Sequence, residues 1–422
     1  MPPRLLLRSS WQTVNIGDIG HTPGALRILE QHLPEAEITL WPSSVDRGVR
    51  EQLLQRWPRL KIVEGDIGED GQASSWELAN ALQENDLFVH GSGPNLMAPH
   101  HLDAWRRTGK PYGFFGITMD PLGFGASGEW EGGTLDDLRA RLAALPLDSM
   151  SRENQDRLSG AAFLFLRDTL TLEHIRRQVP GARHAAFGPD AAFACEMRND
   201  TLASAWLERH GLAPKRFLCI IPRLRWTPYH KIHNRPATDS DHVKDAVNER
   251  TQRSDHEGLR QVIIRWVRET GLKVLACPEM TYQIELAKEE LIDPLPDDVK
   301  AHVVWKDTYW LTDEATSVYR QAHSLISLEN HSPILALGQG TPVIFVRQPT
   351  DTIKGQMWPD LGLGPDFFEV ANATGDALWQ RLSAIHADYP AAQDRVRHFM
   401  DNIVRLQGEM AGAVRSALLS RP

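Results

Sequence analysis

The chain has 422 residues, of which 41% are hydrophobic and 24% charged, and its formal net charge is −9 at pH 7. That length exceeds one ordinary hydrophobic core, so two domains are expected, and the composition excludes a disordered chain. Lys and Arg number 46 against 55 Asp and Glu, with no basic stripe, which argues against nucleic acid as a partner; a few placed arginines still suffice for an anionic small molecule.

The N-terminus carries only a three-leucine run (Leu5 to Leu7), too short for a secretory signal. No window resembles a membrane span. The three cysteines, Cys195, Cys219 and Cys277, are widely spaced and form no CxxC, so a reducing compartment and a cytoplasmic protein are expected. Strands are then expected at Ile38–Trp41, Leu60–Val63, Asp86–His90, Tyr112–Ile117, Ala161–Leu166 and His184–Phe187. Helices fall between them, around Pro23–Leu33, Gly48–Arg56, Ser75–Gln83, His100–Arg107 and Leu170–Gln178. Short apolar strands alternating with three-turn helices read as βαβ units on a parallel sheet.

The second half repeats the pattern. Strands are expected at Phe217–Ile221, Lys273–Ala276, His302–Trp305, Ser324–Leu328, Val343–Val346 and Phe367–Val370, with helices at Glu257–Thr270, Gln283–Leu291, Glu314–Ala322 and Pro333–Gly338. The fold class is therefore α/β, two Rossmann-like domains facing across a cleft: residues 1–205, then 215–385 with an irregular, His-rich insertion at 222–255. A final helix at 390–420 has Val396, Phe399, Ile403, Met410 and Val414 on one stripe and should pack back across both domains.

Ligands of such folds sit at the carboxyl ends of the strands, and the informative residues cluster there. Asn15-Ile16-Gly17-Asp18 lies between the opening apolar segment and the first helix; its backbone can face an anion, or Asn15 and Asp18 can only cap the helix. Gly91, Ser92, Gly93 and Asn95 follow the strand ending at His90, where glycines allow close backbone approach. Arg167-Asp168 ends another strand, and Gly188-Pro189-Asp190 follows the next. Arg223 and Arg225 open the irregular segment and alternate, so in a continuing strand they face opposite ways. His230 and His233 follow, but the surrounding prolines make a helical metal pair doubtful, and no metal is expected. Glu329-Asn330-His331 stands at a strand–helix junction before Gly340-Thr341-Pro342; imidazole is the side chain suited to moving protons near neutrality. Lys354-Gly355 lies in a late loop.

As an ordered set, Asn15-Ile16-Gly17-Asp18, His90 to Asn95, Arg167-Asp168, Pro189-Asp190, Arg223, His331, Gly340-Thr341-Pro342 and Lys354-Gly355 resemble the polysaccharide pyruvyl transferase family over roughly residues 10–365. The resemblance implies a GT-B-like fold, phosphoenolpyruvate as co-substrate bound mainly by the second domain, no other cofactor, and an acceptor sugar facing the first. The product would be a cyclic pyruvyl ketal on a glycan or its precursor. It implies donor binding by Arg223, Arg225, Lys354 and Arg167, with Asn15, Gly17, Gly91, Ser92, Gly93, Asn95 and Asn330 lining the substrates. His331 is then the acid/base, and Asp18 or Glu329 orients the acceptor. The chain departs from the family at Glu329, where arginine is usual; a carboxylate beside a trianionic donor is unfavourable unless Arg225, Arg347 or Lys354 compensates. That departure keeps two rivals open: a GT-B glycosyltransferase whose Glu329 holds a nucleotide's ribose diol, and a non-catalytic glycan-binding relative. A homo-oligomer is compatible with each.

Overall fold

The computed structural model describes residues 2–122, 132–182 and 184–420. Its two sheets are wholly parallel. The first contains β1 (Arg4–Ser9), β2 (Glu37–Pro42), β3 (Lys61–Ile62), β4 (Leu87–His90), β5 (Tyr112–Ile117), β6 (Phe163–Leu166) and β7 (Ala185–Phe187) in the order 3-2-1-4-5-6-7. The second contains β8 (Phe217–Ile221), β9 (Lys273–Ala276), β10 (Val303–Trp305), β11 (Ser324–Ser327), β12 (Val343–Arg347) and β13 (Phe367–Glu369) in the order 10-9-8-11-12-13. Both are doubly wound, and the strand order reverses between β1 and β4 and again between β8 and β11. Those two reversals open the crevices where ligands of this architecture bind.

The three-leucine run is β1, an interior strand between β2 and β4: Leu5, Leu6 and Leu7 are fully buried because helices cover both faces. The first helix is Ile16–His32, starting seven residues before the expected Pro23. Proline usually marks a first helical turn, but here the Asn15 side chain accepts from the Gly17 and Asp18 amides and starts the helix earlier. The segment expected to be irregular, 222–255, holds a short helix, Tyr229–Ile232, and a 17-residue helix, Asp239–Asp255, opened by a Thr238–Asp241 capping box. Its weak apolar period misled, since only one flank of the long helix is covered. Helices Leu135–Ala144 and Arg152–Ser159 were also not anticipated.

The halves share a core. One apolar cluster runs from Ile16 and Phe193 to Phe217, Leu335 and Phe345. The terminal helix, Tyr389–Leu419, adds Val396, Phe399 and Ile403 to that cluster and Met410, Val414 and Ala417 to the core beneath the first sheet. It thus packs back across both halves, as its stripe implied. Ile403 is fully buried, so Ile403→Ala is expected to cost about 2–5 kcal/mol, read as a lower urea midpoint. Two contacts bring the backbones unusually close: a Cβ on Gly24 would lie 1.9 Å from the Ala191 carbonyl oxygen, and one on Gly17 would lie 2.0 Å from Cβ of His331.

Candidate active site

The Gly17 contact sets the geometry. It presses the start of the first helix, at the β1/β4 reversal, onto helix His331–Gly338, at the β8/β11 reversal. The seam is tied by Ile16 N–H donating to the Glu279 carbonyl at 3.1 Å and by the Thr312 hydroxyl donating to the Ile16 carbonyl at 2.7 Å.

At this seam two imidazoles from opposite halves meet: His21 Nε2 lies 3.1 Å from His331 Nε2. His21 Nε2 is also 3.2 Å from Oδ2 of Asp190, which is 4.0 Å from His331 Nε2. The Arg167 guanidinium donates to the same oxygen, and its Nε donates to the Thr118 hydroxyl at 2.8 Å. On the far side His331 Nδ1 is 3.5 Å from Glu279 Oε1, while Glu279 Oε2 accepts from the Ser332 amide at 2.6 Å. Asp18 completes the group, 4.0 Å from His21 Nδ1 and accepting from Gln12. Burial works against the Asp190 charge, yet His21 and Arg167 hold its carboxyl well below the usual range. Burial likewise opposes the charge of Glu279, which the adjacent His331 imidazole and the Ser332 amide hold low.

A second cluster adjoins the first through Gln283. Its carbonyl oxygen accepts from the amides of Glu279 and Met280, and its amide donates to Glu329 Oε1 at 2.7 Å. Glu329 Oε2 lies 3.4 Å from Arg223 Nε, Arg223 also donates to Asp351, and Lys354 Nζ lies 3.6 Å from Asp351. Burial raises Glu329 to about 8 against the pull of Arg223. Burial also opposes ionisation of Asp351, but Arg223 and Lys354 bring it down to about 2.

Of the residues singled out by sequence, His331, Asp18, Gly17 and Arg167 converge on the first cluster and Glu329, Arg223 and Lys354 on the second. The others have different work. Asn15 caps its helix. Gly91 packs on Ser9, and the Ser92 hydroxyl bonds the Phe115 carbonyl and the Ala191 amide. Gly93 packs against the Trp11 ring, and exposed Asn95 accepts from the Leu96 amide. Asn330 accepts from Trp358 Nε1. Arg225 does not join the cationic group: Asp255 takes its fork at 2.8 and 2.9 Å. Arg347 does not compensate Glu329 either, being directed at Glu369 and the Asp351 carbonyl. His21, Glu279, Gln283 and Asp351 were missed.

Two clusters among the described residues have the size of a cation site. Asp18, His21 and His331 offer ligand atoms within 4.8 Å of one another, but Arg167 already supplies the positive charge that faces Asp190. In the other, Asp66–His100–His101, Arg8 Nε donates to His101 Nδ1 at 3.0 Å. That leaves the ring proton on Nε2, 2.5 Å from Asp66, where a metal would have to bind.

A family model described as polysaccharide pyruvyl transferase matches residues 15–348. No curated protein matches the chain. Among solved structures, Staphylococcus aureus MnaA with UDP is similar at 10% identity and TM-score 0.56, covering 97% of this chain and 94% of that one. Neisseria meningitidis UDP-GlcNAc 2-epimerase bound to UDP-GlcNAc gives 10% identity and TM-score 0.55, with 99% and 100% covered. Anabaena HepE with UDP and glucose gives 10% identity and TM-score 0.56, with 98% and 100% covered. At such identities these three show a shared fold.

Proposed function

Because the chain belongs to the polysaccharide pyruvyl transferase family and is therefore a transferase, we propose that it moves a pyruvyl group from phosphoenolpyruvate to two hydroxyls of one sugar in a glycan or glycan precursor. The observation that carries this reading is the adjacency of the two clusters: a buried imidazole pair beside a buried guanidinium and a half-buried lysine, joined through Gln283. Arg223 and Lys354 are the donor's charge-assisted partners. The charge objection to Glu329 loses force, because a carboxyl held up to about 8 is mostly protonated at neutrality and brings little negative charge beside an anion.

In the proposed reaction His331 gives a proton to the methylene carbon of phosphoenolpyruvate as the first hydroxyl oxygen bonds to C2, and Asp18 takes that hydroxyl's proton. The C2–O bond to phosphate then breaks with its electron pair, the second hydroxyl bonds to C2, and its proton leaves on the phosphate. Asp18 returns its proton through His21 to His331, so the cycle closes on ketal and inorganic phosphate. No helix among the described residues is long and apolar enough to cross a membrane. The three cysteines are buried and free, which suits the cytoplasm, where phosphoenolpyruvate is made.

Thermal unfolding tests the donor. Phosphoenolpyruvate at a hundred times its dissociation constant is expected to add about 2.7 kcal/mol of stability. A shift with UDP or UDP-sugars and none with phosphoenolpyruvate would favour the glycosyltransferase reading. That reading relied on a free Glu329 carboxylate, whereas both its oxygens face protein partners. Silence with every anionic donor, alongside glycan affinity, would favour the non-catalytic one.

A pH effect follows. Affinity for phosphoenolpyruvate is expected to fall as pH rises through about 8, when Glu329 ionises beside the donor. Glu329→Gln, which mimics the neutral acid, should flatten that fall. The same group lowers folding stability as pH rises from its unfolded value, ~4.3, toward 8, because across that window the folded chain holds the proton and the unfolded chain does not. Titration calorimetry between about pH 6.5 and 9 reads the binding effect, and a wild-type affinity flat across that range would contradict the assignment.

A further inference from the structure

A cavity of about 430 Å³ opens beside the imidazole pair, walled by Trp11, Gln12, Asp18, Asp46, Arg47 and Tyr229. None of these except Asp18 was singled out by sequence. The loops after β1 and β2 provide most of the wall, and the short helix Tyr229–Ile232 of the second half provides the rest. We infer that this cavity is the acceptor subsite and takes an uncharged pyranose ring carrying a free diol. The inference rests on the proposed transfer for its role, but the cavity's chemistry is read independently of the donor.

The volume lies within the ~300–1,000 Å³ of small-molecule sites, and the lining is that of a sugar site rather than a fatty or polyanionic one. A pyranose has apolar C–H faces and a rim of hydroxyls. Trp11 is a fixed platform: its Nε1 donates to the Ser92 carbonyl at 2.7 Å, and the Arg8 guanidinium sits 5.0 Å from its ring centroid. The half-buried ring keeps its remaining surface for the cavity. Tyr229 is a second platform, 40% exposed and stacked on His233 at 5.9 Å with ring planes 6° apart. Its hydroxyl lies 3.5 Å from Gln12 Nε2.

The rim is set for hydroxyls. Asp46 is held by the Thr13 and Ser44 hydroxyls, and the Thr13 bond first of all keeps it below the usual carboxylate range. Asp18 is the hinge between cavity and chemistry: it walls the cavity, and it lies 4.0 Å from His21 Nδ1, a buried atom with no protein hydrogen-bond partner. A hydroxyl bonded to Asp18 is thereby connected through His21 to His331. Two carboxylates stand against one guanidinium in the wall, so a uronate or sugar phosphate is disfavoured. Tyr229 lies in the helical segment 222–255, which gives that segment a part in choosing the acceptor.

Saturation-transfer NMR with methyl glycosides of glucose, galactose, mannose and N-acetylmannosamine, and with glucuronate as anionic control, tests the assignment. The phosphoenolpyruvate-induced thermal shift is recorded on the same samples. At least one neutral glycoside is expected to bind wild type, with glucuronate silent. Trp11→Ala is expected to weaken that glycoside by about tenfold or more while the phosphoenolpyruvate shift is kept. Tyr229→Ala, at a site too exposed to unfold the chain, should weaken the same ligand. The inference is overturned if no neutral glycoside binds, if glucuronate binds in preference, or if binding survives both substitutions. A protein silent to phosphoenolpyruvate that still binds a glycoside through Trp11 would sink the donor reading and leave the cavity assigned.

Discussion

Replacing His331 by alanine is expected to lower turnover by about 10²–10⁴-fold while phosphoenolpyruvate still raises the unfolding temperature. The imidazole stands where the two halves touch, between Glu279 on one side and His21 with Asp190 on the other. In the proposed reaction the donor's charge is met elsewhere, by Arg223 and Lys354, which lie in the neighbouring cluster with Glu329 and Asp351, so proton delivery and donor binding should separate in one variant. Phosphate release from phosphoenolpyruvate with an acceptor sugar measures the first and thermal shift the second. His331→Gln guards against a misfolded alanine variant, because it keeps a hydrogen-bonding group beside Glu279. Wild-type phosphate release in either variant removes His331 from the mechanism. His21→Ala is the companion experiment. His21 touches neither proposed substrate, so its loss should lower kcat with the Michaelis constant for phosphoenolpyruvate unchanged, as expected of a residue acting through His331.

The sheets were legible because parallel strands covered on both faces read as short apolar runs, and Tyr112–Ile117, Phe217–Ile221 and Lys273–Ala276 fall where those runs lie. The first helix was misread by seven residues because Pro23 outweighed a polar cap whose effect depends on the Asn15 side chain reaching two amides. The site was legible at residues lying just past a strand end, such as Arg167, Arg223 and His331. It was opaque where function depends on the partner half. His21 lies inside a helix, and only the meeting of the halves places it 3.1 Å from His331. Glu279 and Asp351 did carry a signal, each being a carboxylate three or four residues beyond a buried strand, β9 and β12. The neutralising of Arg225 by Asp255 had none, since the segment between them lacks an apolar period that would set Asp255 on a helix facing Arg225.

Asp190→Asn is expected to be the most damaging isosteric change in the protein. The carboxylate is fully buried and serves three partners: the Arg167 guanidinium, His21 Nε2 at 3.2 Å, and the Ala192 amide at 2.9 Å. An amide in its place leaves a guanidinium that is 1% exposed without its counter-charge, at a cost of about 3–5 kcal/mol. The sign of the pH dependence follows from the low folded-state value of Asp190. Its contribution is fully present above the unfolded-state value, ~3.9, and is lost as pH falls through the folded one, so the deficit of Asp190→Asn against wild type should be complete at pH 7 and shrink only in strong acid. Urea unfolding of both proteins at neutral and acidic pH measures it, and an equal deficit throughout would mean the carboxylate's charge is not what stabilises the site. A double variant separates stability from chemistry. Arg167→Met with Asp190→Leu removes both charges, and replacing a buried pair by apolar groups is often close to neutral for folding. That chain should regain most of the lost stability yet remain slow, because His21 would then have no carboxylate opposite the nitrogen it shares with His331. Recovery of turnover together with stability would show instead that Asp190 serves the fold alone.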